Sequence, residues 1–116
     1  MICRILVCGG RKFADNKLFE QTMAKALPFF DQDYCIINGL ATGADSMAHA
    51  WACGRGVPSI CVPANWGIYK DKAGPIRNQW MIDFCAPDLV IAFPGGSGTA
   101  HMIQISKEQH IPVWEV

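Results

Sequence analysis

Residues 89–99 read LVIAFPGGSGT, and this stretch decides the fold. The apolar run 89–93 is typical of a buried strand, and the residues after Gly98 have the spacing of a helix that reaches about Gln109. Glycines at such a junction let the backbone approach an anion closely, and the start of a helix offers free N–H groups and the positive end of its dipole. The stretch therefore predicts an anion-binding turn. The alternative is a glycine-rich turn without a ligand, in which Ser97 or Thr99 caps the helix.

Strands alternate with helices along the rest of the chain. Further strands are predicted over residues 2–8, 34–37, 59–62 and 112–116, and Pro112 favours an edge position for the last of them. Strands that are separated by single helices run parallel, with right-handed crossovers. The pattern predicts one α/β domain over residues 1–116: a Rossmann-like, doubly wound, mostly parallel five-stranded sheet in the order 3-2-1-4-5, with helices on both faces.

Three further helices connect these strands. The first is capped by Asp15 and is ended or kinked by Pro28, and its predicted core-facing positions are Leu18, Phe19, Thr22, Met23, Ala26 and Leu27. The second runs over about residues 44–53. The third follows a polar loop over residues 63–74 and has Pro75 in its first turn. Its side chains predicted to point inward are Ile76, Trp80, Met81 and Phe84.

Composition excludes several classes of protein. Hydrophobic residues make up 51% and charged residues 17% of the 116 residues, which is enough for a core and unlike a disordered chain. Ten acidic and ten basic residues leave no net charge, whereas binding to a nucleic-acid backbone usually needs a basic surplus. No segment has the ~20 apolar residues of a membrane helix, and the apolar run 5–8 is too short for a signal-peptide core. We therefore expect a cytoplasmic protein with no membrane partner.

The six cysteines do not form a metal-binding or disulfide pattern. They lie in or beside apolar strand-like runs or near helix ends, with no C-x-x-C pair and no His/Cys cluster at zinc spacing. We expect reduced thiols that pack as small hydrophobic groups, and we expect neither a metal nor a cofactor.

Glycine-rich and polar segments follow the carboxyl ends of the predicted strands. Because parallel strands end at one edge of the sheet, these segments share that edge, and ligands of open α/β sheets bind there at the switch point. The segments contain neither G-x-x-x-x-G-K-[ST] nor G-x-G-x-x-G, so neither a P-loop NTPase nor a dinucleotide dehydrogenase is expected. The candidate ligand-binding residues are Gly9, Gly10, Arg11, Asn38, Gly39, Gly43, Asp45, Arg77, Asn78, Pro94, Gly95, Gly96, Ser97, Gly98 and Thr99.

The charged side chains of these segments each have two interpretations. Arg11 either clamps a phosphate or is a solvated surface residue. Arg77, in the first turn of a predicted helix, indicates an acidic partner, which is either a ligand or a carboxylate such as Asp71. Asp45 either caps the second helix or binds a ribose hydroxyl. His49, on the same helix, is interpreted as a surface or interface residue.

Four motifs resemble those of one family. They are residues 8–15 (CGGRKFAD), 38–45 (NGLATGAD), 73–78 (AGPIRN) and 87–100 (PDLVIAFPGGSGTA), and together they span nearly the whole chain. The sequence resembles the SLOG superfamily of Rossmann-like nucleotide-binding proteins, in its YspA-related branch. The resemblance implies a fold and a pocket rather than a particular reaction. Relatives of this branch include domains that sense ADP-ribose-type signals in bacterial antiviral defence.

Two other branches of the superfamily share pieces of the sequence. Residues 94–99 are similar to the P-G-G-x-G-T-x-x-E motif of the LOG-type phosphoribohydrolases, in which glycines and threonine hold phosphate and the glutamate is catalytic. Met102 stands at the glutamate position, with His101 before it, and a methionine carries neither a charge nor a proton. Residues 38–49 resemble the glycine motif of DprA, a family that binds single-stranded DNA.

Three functions are compatible with these patterns. The first is binding, for sensing or sequestration, of a nucleotide or an ADP-ribose-type signal, with residues 94–99 on the phosphate. The second is a LOG-like N-glycoside hydrolase of nucleoside monophosphates, in which Asp45 or Asp15 replaces the missing glutamate. The third is a DprA-like single-stranded DNA-binding accessory protein. The phosphate motif without its glutamate favours the first.

The resemblance also implies self-association, because relatives commonly form dimers through helices that flank the pocket. Four tryptophans allow for an apolar interface. Trp66 and Tyr69, in the long loop, either stack on a base or cover the core or a dimer partner. We expect a homo-oligomer, a dimer or higher, of bacterial or phage origin, whose partner is a nucleotide-derived small molecule rather than a nucleic acid.

Overall fold

The computed structural model describes residues 2–26 and 33–116. Within these ranges strands and helices alternate, and a 3-10 turn, Lys70–Lys72, joins the third helix to the fourth. The elements in chain order are β1 (Cys3–Cys8), α1 (Asn16–Ala26), β2 (Tyr34–Asn38), α2 (Ala44–Gly54), β3 (Ser59–Cys61), α3 (Trp66–Tyr69), α4 (Ala73–Cys85), β4 (Leu89–Ala92), α5 (Ser97–Glu108) and β5 (Val113–Glu115).

The strands form one five-stranded sheet in the order β3-β2-β1-β4-β5, and every adjacent pair is parallel. This confirms the predicted doubly wound topology. Apart from the exposed Arg4, the central strand β1 is apolar, as expected of a parallel strand whose two faces are covered. Ile5 and Val7 are fully buried on one face, and Leu6 is fully buried on the other.

Helices cover both faces of the sheet, as predicted. On one face, α1 and α2 pack Phe19 and Trp51 against β1, β2 and β4. On the other face, α4 and α5 contribute Met81 and Met102. The ring of Phe93, just beyond β4, lies 5.1 Å from the ring of Phe19, which anchors the end of β4 against α1. No helix within the described ranges is both long and apolar enough to cross a membrane.

The ends of several elements also agree with the sequence. Asp15 caps α1, because its Oδ1 atom accepts a hydrogen bond from the backbone nitrogen of Leu18 at 3.0 Å. The last strand, β5, lies at an edge of the sheet, as Pro112 predicted. The predicted positions Leu27 and Pro28 lie outside the described residues.

The prediction of a polar loop over residues 63–74 is right for residues 63–65 and wrong from residue 66 onward. Asn65 starts the short helix α3 by accepting a hydrogen bond from the backbone nitrogen of Ile68 at 3.1 Å. After the 3-10 turn, α4 begins at Ala73. Arg77 is consequently the fifth residue of α4 and not part of its first turn, so the unfavourable helix-dipole contact inferred from the sequence does not apply.

The predicted inward orientation of Phe84 is also wrong, because this side chain is 79% exposed. The helix turns its Met81 and Ile82 side toward the sheet, and Phe84 falls on the outer side. Apolar residues occur around most of α4, so periodicity does not distinguish its buried side from its exposed one.

Candidate functional site

The loops after β1 and β4 touch each other at the carboxyl edge of the sheet. The backbone nitrogen of Gly10 donates a hydrogen bond to the backbone oxygen of Pro94 at 2.9 Å. A Cβ atom added at Gly95 would lie 2.6 Å from the Gly10 nitrogen and would overlap Oγ1 of Thr99. The glycines at this junction are therefore required by the close approach of two backbones.

The loop before α2 joins the same junction. The backbone oxygen of Gly10 accepts a hydrogen bond from the backbone nitrogen of Ala44 at 3.3 Å. Gly43 has a φ of 82°, and a Cβ atom there would overlap the Gly10 oxygen and the Arg11 backbone. Segments that are far apart in the sequence thus meet at one edge of the sheet.

A crevice of about 540 Å³ opens at this edge, within the range of ligand-binding pockets. The predicted site residues that line it are Gly9, Gly10, Arg11, Asp45, Arg77, Asn78, Gly96, Ser97, Gly98 and Thr99. Pro94 and Gly95 line a shallower neighbouring depression. The lining of the crevice does not include Asn38, the last residue of β2, or Gly39 and Gly43 in the loop that follows it.

The first turn of α5 forms one wall of the crevice. Its N-cap residue is Gly96, and no side chain caps the helix. Neither Ser97 nor Thr99 caps α5, so the capping part of the ligand-free alternative is wrong. The first helical hydrogen bond runs from the nitrogen of Ala100 to the oxygen of Gly96, so the amides of residues 97–99 precede the intrahelical hydrogen bonds. These amides and the positive helix end favour an anion.

Asp45 lies at the back of the crevice and is 6% exposed. The interpretation of Asp45 as a helix cap is wrong: the N-cap of α2 is Gly43, without a side-chain hydrogen bond. Instead, the carboxylate accepts hydrogen bonds from the backbone nitrogens of Gly39, at 2.9 Å, and Ala41, and so it holds the loop after β2. Burial raises the pKa of Asp45, while the nearby Arg77 guanidinium and these hydrogen bonds oppose that shift.

Arg77 connects the same loop to α4. Its Nη1 atom donates to the backbone oxygen of Gly39 at 2.9 Å, and its Nε atom donates to Oδ1 of Asn78 at 3.0 Å. Burial lowers the pKa of Arg77, and Asp45 opposes that shift as the principal nearby acidic group. Asp71, the partner suggested by the sequence, also lines the crevice.

Arg11 and Trp66 lie at the mouth of the crevice. The guanidinium carbon of Arg11 lies 5.2 Å from the centre of the Trp66 ring, in a cation–π contact. Trp66 is 46% exposed and lines the crevice. Tyr69, the other aromatic residue of this segment, packs edge-on against Trp80 at 5.8 Å. Of the two aromatic candidates, Trp66 is therefore the one at the site.

Three polar side chains singled out in the sequence lie elsewhere. Asp15 caps α1 and is not part of the crevice lining. Asn38 is fully buried and donates to Oγ of Ser59 at 3.1 Å. His49 contacts the same hydroxyl through Nδ1 at 2.8 Å. Among residues 2–26 and 33–116, no group of three or more His, Cys, Asp or Glu side chains is arranged to hold a metal ion.

His101 lines the crevice, although the sequence motifs did not assign it to the site. It lies four residues after Ser97, so both occupy the same side of α5, and this spacing was the available signal. Its Nδ1 atom lies 3.2 Å from Nδ2 of Asn78. Met102, at the position of the LOG glutamate, is fully buried although it contributes to the crevice floor.

A family model described as YAcAr, the YspA, cpYpsA-related SLOG family, matches residues 3–69. The chain belongs to this SLOG family. A curated relative, the Gene 61 protein of Mycobacterium phage D29, is 32% identical over 117 residues, which cover 95% of this chain and 93% of the relative. No solved structure gives a significant match. The matched segment contains the loops after β1 and β2, and the SLOG resemblance inferred from the motifs is confirmed.

Proposed function

We propose that this SLOG protein binds the phosphate of a nucleotide or nucleotide-derived ligand of the ADP-ribose type, for sensing or sequestration. The observation that carries the proposal is the wall formed by the first turn of α5, whose amides at residues 97–99 lie beside the crevice. Arg11 and Arg77 line the same crevice and supply positive charge. Backbone amides, a helix N-terminus and guanidinium groups together favour a phosphate group.

The rest of the crevice supports a ligand larger than a free phosphate. Trp66 offers aromatic surface at the mouth, suited to stacking on a base, and Met81 and Met102 supply apolar lining. The volume of about 540 Å³ accommodates a ligand of nucleotide size. We place the phosphate at α5 and the base toward Trp66.

The side chains favour binding over hydrolysis. A hydrolase needs a carboxylate that is free to act on water or on the sugar. Asp45 is engaged by the backbone nitrogens of Gly39 and Ala41, and position 102 is a buried methionine. We therefore expect AMP and ADP-ribose to remain intact during prolonged incubation, and chromatography for free base tests this. Release of base that is lost in D45N would support the hydrolase instead.

A pair of matched substitutions tests the phosphate site. Arg11 and Arg55 both stack on tryptophans, but Arg55 lies over Trp51 at the far end of α2, away from the crevice. In calorimetric titrations with AMP, ADP-ribose and cyclic ADP-ribose, we expect R11M to weaken binding about ten-fold or more, since a charge-assisted hydrogen bond is lost. We expect R55M to bind as wild type does. Absence of heat from wild type with every probe at millimolar concentration would contradict the proposal.

We extend the proposal to assembly and location. Ile68 on α3 and Phe84 on α4 are 68% and 79% exposed, which favours a homo-oligomeric contact through these helices. Sedimentation over a range of concentrations tests this, and a monomer at the highest concentration contradicts it. All six cysteines are free thiols, which supports a reducing cytoplasmic location.

A further inference from the structure

Asn78 and His101 form a hydrogen-bonded pair in the wall of the crevice. The Nδ2 atom of Asn78 lies 3.2 Å from Nδ1 of His101 and 3.2 Å from the backbone oxygen of Gly98. On its other side, Oδ1 of Asn78 accepts a hydrogen bond from Nε of Arg77 at 3.0 Å. These hydrogen bonds hold the Asn78 amide at both ends. The side chain is only 5% exposed and lies where α4 faces α5.

These contacts determine which nitrogen of His101 carries the proton. The Nε atom of Arg77 only donates and a backbone carbonyl only accepts, so the Asn78 oxygen must face Arg77 and its NH₂ group must face Gly98. The same NH₂ group donates to Nδ1 of His101, which must therefore carry a lone pair. In a neutral imidazole the proton then lies on Nε2, and His101 offers an N–H donor there.

The imidazole lies close to the proposed phosphate position. His101 lines the crevice and follows Ser97 by one turn of α5, about 6 Å along the helix axis. Side chains on a helix lean toward its N-terminus, which directs the His101 ring toward the first turn of α5. The α5 wall therefore adds a side-chain donor to the backbone donors, next to the buried Met102.

We propose that His101 is a ligand-binding residue whose Nε2–H donates a hydrogen bond to a phosphate oxygen of the bound nucleotide. The inference rests on the proposed function, because it requires a phosphate on the first turn of α5. Asn78 is a positioning residue that acts through His101 by fixing its tautomer. The pair makes the crevice selective for a ligand with an acceptor group at this point, and an anionic phosphate oxygen is the strongest such acceptor in a nucleotide.

Substitutions that keep or remove the Nε2 donor test the contact. Glutamine places an amide NH₂ near the position of Nε2, whereas asparagine reaches only the position of Nδ1, and phenylalanine keeps the ring without a donor. By calorimetry, we expect H101Q to bind AMP and ADP-ribose within about three-fold of wild type, and H101N and H101F to bind them about ten-fold or more weakly. Adenosine, which has no phosphate, is expected to bind all four proteins equally. Thermal denaturation identifies any variant that is not folded.

Two results would overturn this inference. The first is that H101N and H101F bind AMP or ADP-ribose as tightly as wild type does. In that case the phosphate site is intact and His101 does not contribute to it. The other is a proton on Nδ1 in ligand-free wild type, measured by long-range proton–nitrogen NMR correlation of the His101 ring. We expect a protonated Nε2 and an unprotonated Nδ1. Failure of the proposed function is a different result, because wild type then binds none of these nucleotides.

Discussion

Replacing Gly95 by alanine tests the close approach of the loops after β1 and β4. A Cβ atom at position 95 would lie 2.6 Å from the Gly10 nitrogen and 2.9 Å from Cβ of Thr99, closer than the 3.4 Å at which ordinary contacts begin. The Gly10 nitrogen is held by its hydrogen bond to the Pro94 oxygen at 2.9 Å. The loops can make room only by weakening that bond and moving Thr99, which is buried.

The structure sets the size of the expected effect. Forcing an extra carbon into a packed site costs about 1–3 kcal/mol, and the loss of one hydrogen bond adds about 1 kcal/mol. We expect G95A to lower the free energy of unfolding by about 3 kcal/mol. In a domain of this size, the midpoint of thermal unfolding falls by about 10 °C.

The neighbouring residue provides the control. Gly96 belongs to the same loop, but a Cβ atom there would meet no other atom within 4 Å. Gly96 is the N-cap of α5, where alanine is less favourable than glycine, so we expect G96A to lower the free energy of unfolding by about 1 kcal/mol or less, clearly below the loss in G95A. Urea denaturation followed by circular dichroism measures both variants. Equal stability of G95A and G96A would refute the reasoning, because the two loops then do not approach as closely as described.

Three further predictions concern a helix, a thiol and a buried carboxylate. Gly98 lies in α5, and no atom would lie within 4 Å of a Cβ atom added there. We expect G98A to stabilise the protein by about 0.5–1 kcal/mol in urea denaturation, and a loss of stability would contradict the claim that this position has open space. Burial, with a contribution from Asp45, raises the pKa of the Cys8 thiol to about 12. Brief alkylation, measured by mass spectrometry, is therefore expected to modify the exposed Cys53 and to spare Cys8, and equal labelling of the two thiols would contradict this. Burial raises the pKa of Asp45 above 3.8 although Arg77 opposes the shift, so the stability that its protonation supports is present below pH 3.8 and is lost as the pH rises through the raised pKa. Urea denaturation at several pH values is expected to show this loss in wild type relative to D45N, and a constant difference between the two proteins would contradict it.

The sequence predicted the sheet because each strand is a short apolar run bounded by helix-spaced residues. β1 and β4 are buried on both faces, and this burial is visible as unbroken hydrophobicity in residues 5–8 and 89–93. The segments that follow the parallel strands are predicted to share one edge of the sheet, and the Gly10–Pro94 hydrogen bond lies at that edge. The glycines themselves were predicted to serve the approach of an anion, and the close approach of two backbones at Gly10 and Gly95 is seen only in the structure.

The side-chain arrangement of the site was harder to predict because its contacts join distant residues. Arg77 donates to Gly39 across 38 positions, and Asn78 reaches Gly98 across 20 positions. Periodicity describes neighbours along one helix and carries no information on such pairs. The wrong interpretation of Asp45 has a different cause: its place at the start of α2 favours a cap, and helical spacing does not indicate that its carboxylate folds back onto Gly39, six residues earlier.

The central claim is that a phosphate binds against the first turn of α5. The most direct measurement is a titration of the isotope-labelled protein with AMP, followed through backbone amide chemical shifts. Saturable shifts are expected at residues 97–99 and at Gly10 and Arg11, and adenosine is expected to leave residues 97–99 unshifted. Saturable AMP shifts confined to other surfaces, with residues 97–99 unchanged, would contradict the claim.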